Sequence, residues 1–126
     1  MSGFSTKALP EVYDVLAPDG SEVRVLAGAS RGSMAHFRLP PGQVSVAVCH
    51  RTVDEVWYVT AGSGEIWRSS GSTEEVTALS PGLSLTIPVG TSFQFRAGND
   101  AALEIVGVTM PPWPGPDEAY PVTGKW

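Results

Sequence analysis

Cysteine is almost absent from these 126 residues. Cys49 stands alone, so no internal disulfide is available, and the chain suits a reducing compartment. Lysine is nearly as scarce: Lys7 and Lys125 are the only two, and the eight basic residues form no cluster against thirteen acidic ones. A net charge of -5 without a basic patch lacks the electrostatic footprint of a nucleic-acid binder. Charged residues make up 17% of the chain, below the ~25% of an average domain, which leaves uncharged surface for a partner and points to a homodimer. Long apolar runs are missing as well. The longest, residues 44–49, falls far short of the ~20 residues that span a bilayer. The first residues also lack the charged-then-apolar pattern of a secretory leader. The expectation is a cytoplasmic protein with no membrane partner.

Windows that could hold a helix are the last scarcity. Fourteen Gly and eleven Pro interrupt the chain every few residues, well above the roughly 12% of average usage. Between these breaks, β-branched and aromatic residues alternate, as in Val44, Val46 and Val48. The pattern predicts nine short strands, at 22–26, 33–39, 44–50, 55–60, 65–69, 75–79, 84–87, 92–96 and 103–109, with a turn near 51–54. So many short strands at this spacing mean an all-β sandwich or barrel. With no internal repeat and no linker, the whole chain reads as one domain: an arm (1–21), a barrel (22–109) and a tail (110–126). One core fits a chain of this length.

Two stretches carry the chemistry. In the first, Gly42 is followed after five residues by Val48, then by His50, Glu55 and Gly62. In the second, Gly82 is followed after five residues by Pro88, then by Gly90, Phe93 and Ala97. This resembles the cupin superfamily, whose first motif is Gly, five residues, His-x-His, three or four residues, Glu, six residues, Gly. The second motif is Gly, five residues, Pro-x-Gly, two residues, His, three residues, Asn. Gly42, His50, Glu55, Gly62, Gly82, Pro88 and Gly90 match. The resemblance implies a double-stranded β-helix, the jelly-roll barrel of cupins, with its site at the mouth. Positions 48 and 50, two apart on a strand, aim into the barrel. Glu55 faces them across a hairpin, and position 93 approaches from the opposite sheet.

The chain departs from the motif at the metal ligands, where Val48 and Phe93 replace histidines. One His and one carboxylate fall below the three ligands of a catalytic zinc site and below the two-histidine, one-carboxylate triad of iron oxygenases. His50 and Glu55 hold a divalent metal weakly or not at all, unless His36, the one other histidine, supplies a third ligand. His36 shares its strand face with Arg38, and if Phe37 and Leu39 form the core it points away. Gln94 has the wrong parity to replace the lost ligand.

An organic-ligand pocket is the simpler reading. Phe93 shares a face with Phe95, and Glu55 with Trp57, so Val48, Trp57, Phe93 and Phe95 become candidate ligand-binding residues around His50 and Glu55. That pair, placed against apolar walls, is a candidate proton-transfer couple. Three classes of function stay open. One is a metal-independent or weakly metal-dependent isomerase, cyclase or lyase. The others are a metal-dependent enzyme using His50, Glu55 and His36, and a non-catalytic module that senses or carries a small molecule. The dimer interface is expected on the outward residues of 44–50, including Cys49, and on part of the first twenty residues. Five prolines between 111 and 121 hold the tail extended, and Trp113 and Trp126 anchor it as a lid over the mouth or as a strap closing the barrel.

Overall fold

The computed structural model describes residues 3–126 and shows two antiparallel sheets packed face to face. The strands are β1 (Val15–Leu16), β2 (Glu22–Gly28), β3 (Ser33–Leu39), β4 (Val48–His50), β5 (Asp54–Ala61), β6 (Gly64–Ser69), β7 (Glu74–Leu79), β8 (Ser84–Ile87), β9 (Ser92–Ala97), β10 (Leu103–Met110) and β11 (Ala119–Pro121). One sheet runs β1-β2-β3-β10-β5-β8 and the other β11-β4-β9-β6-β7. All nine predicted strands are present. The seven residues expected at 44–50 contract to β4, with an isolated bridge from Val44 to Arg96. Their alternation is real, but Ser45 N donates to the Phe95 carbonyl and Val46 N to the Asp19 carbonyl, outside a regular ladder. The arm and the tail each add a short strand, so the barrel extends beyond 22–109 at both ends.

The motif glycines have a backbone reason. Gln43, Leu83 and Thr91 each donate N–H to the carbonyl three residues back, closing turns at Pro41-Gly42, Pro81-Gly82 and Val89-Gly90. In each turn the third position is glycine with φ between 74° and 94°, as a type II turn requires. Gly62 is tighter still. Its φ is 79°, and a Cβ there would collide with the Ala102 carbonyl.

Depth along the strands divides the interior. At one end Leu39, Val59, Ile66, Leu79, Phe95, Leu103 and Ile105 fill the space between the sheets. Toward the other end the inward positions of β3 and β10 carry Ser33, Ala35, Gly107 and Thr109, and the sandwich is hollow there. Small side chains across a paired register leave volume that no neighbour fills.

The tail closes this structure as an edge strand. Ala119, Tyr120 and Pro121 pair with His50, Cys49 and Val48. Cys49 is therefore buried rather than presented to a partner, while Val44 and Val46 beside it remain exposed. Prolines did not exclude all helical structure, because Pro116–Glu118 makes one 3-10 turn with proline at its start, where a missing N–H costs nothing. Glu118 clips that turn to the barrel: its carboxylate accepts from Thr52 N and Thr52 Oγ1 at 2.6 Å and from Val53 N at 2.9 Å. Burial opposes its charge, but these hydrogen bonds outweigh it and hold the carboxyl below its usual range. Further on, the Gln94 side chain accepts from Lys125 N and Trp126 N, and Arg96 lies 4.1 Å over the Trp126 ring. Glu118→Ala strands the buried Val53 N–H and removes two further bonds from Thr52, so it should cost about 1–3 kcal/mol. Chemical denaturation checks this; a loss within error would show that the tail closes the barrel without its clip.

Candidate functional site

The hollow end is a cavity of about 360 Å³. Its walls come from both sheets, with Ala35, Phe37, Trp57 and Gly107 on one side and Val48, His50 and Phe93 on the other; residues 15–19 and Trp113 lie at its rim. Val48 and Phe93 are register partners on adjacent strands, so position 93 lies in the same sheet as position 48, not the opposite one. The segment from His50 to Glu55 likewise forms no hairpin. It crosses from one sheet to the other and sets the two side chains face to face, with His50 Nδ1 3.5 Å from Glu55 Oε1.

Gly107 shapes the floor. It pairs with Trp57 and Ala35, and a Cβ there would meet Phe37, Glu55 Oε2 and Trp57 within about 3 Å. Without that carbon, the carboxyl and two aromatic rings fold over the strand. Phe37 lies 5.9 Å from Trp57, and Trp57 in turn stands edge-on to Phe93 at 5.9 Å. His50 is held edgewise between Phe93 at 5.2 Å and Trp113 at 5.3 Å.

The electrostatics follow from what the cavity lacks. No lysine or arginine lines it. Glu55 is 3% exposed, and burial lifts its carboxyl to about 8 despite the nearby Trp57 N–H, with Asp19 adding like-charge repulsion. Burial also lowers His50, against the pull of the Glu118 carboxylate. At neutral pH the two groups are thus an acid and a base, both uncharged, rather than an ion pair. Asp19 is a second carboxyl in the wall and one that sequence reasoning missed. Burial raises it, while hydrogen bonds from Ser21 N and Ser21 Oγ work the other way. Pro18-Asp19-Gly20 reads as an exposed turn, and nothing in that string signals that it folds inward.

The other polar groups of the wall are satisfied among themselves. Ser33 Oγ and Thr109 Oγ1 are 2.8 Å apart, and Ser33 Oγ also accepts from Trp113 N. Among the lining residues, two buried atoms have no hydrogen-bond partner: His50 Nδ1 and Trp57 Nε1. The Trp57 N–H is near enough to Glu55 to favour its ionised form, but not in a geometry that makes a hydrogen bond. An unmade buried bond costs about 1–3 kcal/mol.

Two sequence-based candidates lie elsewhere. His36 points out of the opposite face of β3, where its Nε2 is 3.0 Å from Glu104 Oε1 and Arg24 and Arg38 add positive charge around it. It is therefore no third ligand, because Phe37 takes the inward position. Phe95 shares the face of Phe93 but sits deeper, 5.0 Å behind Trp57 in the filled core, and does not line the cavity. His50, Glu55, Val48, Trp57 and Phe93 do come together there.

The fold and site define a double-stranded β-helix with an internal pocket. The cupin domain profile matches residues 35–109, more than half of the chain, and the protein belongs to that family. Solved structures agree on the fold. BH2720 from Bacillus halodurans aligns at TM-score 0.66 and 18% identity, over 74% of this chain and 72% of its own. KdgF from a Halomonas species aligns at 0.66 and 20%, over 79% and 86%. A predicted oxalate decarboxylase from Thermotoga maritima aligns at 0.61 and 19%, over 71% and 79%. No curated protein matches the sequence significantly.

The metal that cupin motifs imply does not fit these residues. Val48 and Phe93 occupy two ligand positions with hydrocarbon, and no group of three or more His, Cys, Asp or Glu among the described residues could hold one ion. Val48→His combined with Phe93→His restores four donors around one point. The double variant should gain at least tenfold in Co²⁺ affinity, read by absorption titration. No gain over the parent would show that 48, 50, 55 and 93 do not converge.

Proposed function

We propose that this cupin binds a small, uncharged, largely apolar molecule in the cavity and uses His50 and Glu55 to move a proton on it, without a metal. The observation that carries the reading is a 360 Å³ space walled by Phe37, Val48, Trp57 and Phe93 that holds an imidazole and a carboxyl but no cation. A carboxylate or phosphate ligand would face Glu55 and Asp19 with nothing to neutralise it. The oxalate chemistry in one neighbour's description is for this reason not carried over, since oxalate is a dianion. The nearest arginines turn away from the cavity, with Arg24 and Arg38 gathered beside Glu22 on the outer sheet face.

The proton-transfer role rests on opposed environments. A buried imidazole held neutral is a base, and a carboxyl held protonated near neutral pH is an acid. With the two groups 3.5 Å apart, one can receive a proton while the other returns it to a neighbouring atom of the same ligand. That is the economy of an isomerase or lyase. Trp113 covers His50 at the rim, so the tail serves both as strap, through β11 and Glu118, and as cover, through Trp113.

The proposal includes a homodimer in the cytoplasm. Val44, Val46, Val12, Val15 and Leu16 leave apolar surface on the segments expected to pair, and no helix among the described residues is long and apolar enough to cross a membrane.

A matched panel of uncharged ring compounds and their carboxylate counterparts tests the site. Amide spectra should show uncharged members perturbing Val48, Phe93 and Gly107, with the carboxylates at least tenfold weaker. His50→Gln should abolish turnover of any substrate so found while leaving binding within a fewfold. Preference for the carboxylates, or perturbations confined to other surfaces, would overturn the reading.

A further inference from the structure

The cavity's polar atoms are nearly all accounted for, and the exceptions describe what is missing. Ser33, Thr109 and Asp19 are paired within the wall. Trp57 Nε1 is not, although the residue is only 3% exposed and its ring contacts Phe37, Phe93 and Phe95. Indole N–H is a donor only, and buried indoles ordinarily find an acceptor. An apolar ring in the same place would be filled by phenylalanine without this deficit. Among the described residues no acceptor meets this N–H in hydrogen-bond geometry, the nearby Glu55 carboxyl included, and the N–H belongs to a side chain that lines the cavity.

We infer that the ligand carries a carbonyl oxygen that accepts the Trp57 N–H, on a flat ring held among Phe37, Phe93 and Trp113. This rests on the proposed cavity site and narrows its ligand to uncharged cyclic carbonyl compounds. A carbonyl supplies an acceptor without a charge that this cation-free cavity would leave unneutralised. Its second lone pair can accept from His50 Nδ1, the other unpartnered atom in the wall, in the tautomer that carries the proton there and leaves Nε2 as the base. Aromatic walls set edge-on to one another present faces and edges to a planar guest. The hydrogen bond orients that guest, placing the carbons beside its carbonyl, the most acidic of a simple ketone, in the compartment that holds His50 and Glu55.

The probes are 2-indanone and indane, which share a skeleton and differ by the oxygen. In ¹H–¹⁵N spectra of the intact protein, 2-indanone should move the Trp57 indole N–H resonance downfield, whereas indane should leave it nearly in place while perturbing Val48 and Gly107. 2-Indanone should bind on the order of fivefold to tenfold more tightly than indane, the worth of one buried hydrogen bond. Trp57→Phe, which keeps a ring and removes the donor, should erase that difference by weakening 2-indanone alone. If the variant does not fold, the indole resonance of the unaltered protein decides. Equal affinities, or an indole signal that 2-indanone leaves unmoved, would overturn the anchor and leave the cavity site standing. Failure of both probes to perturb any cavity residue up to their solubility would overturn both.

Discussion

A carboxyl group buried without a cation governs this molecule. Glu55 enters the sandwich because strand alternation sends every second residue of β5 inward, and it arrives opposite Thr109 with its carboxyl over Gly107, which has no side chain to displace it. There the walls are phenylalanine, tryptophan and valine. An ionised carboxylate in such a place would need an opposing charge, and none of the lining residues supplies one. The group keeps its proton instead. Its neutrality determines what else can enter, and it converts a residue that elsewhere would grip a metal into an acid.

The same constraint couples folding to pH with a definite sign. Glu55 retains its proton in the fold up to about 8 but loses it near 4.5 when unfolded. Stability from this group is therefore fully present below 4.5, falls as pH rises toward 8, and levels off above. His50 and His36 act oppositely. Their folded pKa values are lowered by burial, so they erode stability only as pH drops below the ordinary histidine range. Between about 6.5 and 8 the histidines no longer oppose Glu55. A fold that tolerates such a group gives up stability for a reactive interior, as is common where strained or unpaired groups mark function.

Much of this was readable beforehand, and the misses have a common origin. Alternation offered two orientations for His36, outward if Phe37 and Leu39 form the core and inward as a third ligand otherwise, and the structure has Leu39 in the core and Phe37 in the cavity wall. Gly42, Gly82 and Gly90 stood out by their motif spacing, and the structure supplies the reason, since each closes a turn at positive φ. What one strand's pattern does not contain is depth and partnership. Phe93 and Phe95 are equivalent by parity, yet one faces the cavity and the other the core. Val48 and Phe93 sit side by side in one sheet, because pairing between distant strands leaves no local trace. The cavity itself depends on small residues at Ser33, Ala35, Gly107 and Thr109, which become a group only once β3 and β10 are in register. Asp19 stayed hidden for the related reason that a turn sequence does not say which way the turn folds.

The measurement that bears most directly on this account is a titration of the Glu55 side-chain carboxyl by ¹³C resonance, assigned by its loss in Glu55→Gln. The account predicts a single protonated signal at pH 6.5 and a midpoint near 8. A midpoint near the ordinary 4.5 would mean that the carboxyl is ionised at neutral pH and finds water or a cation in the cavity. The uncharged-ligand reading would then be contradicted at its root.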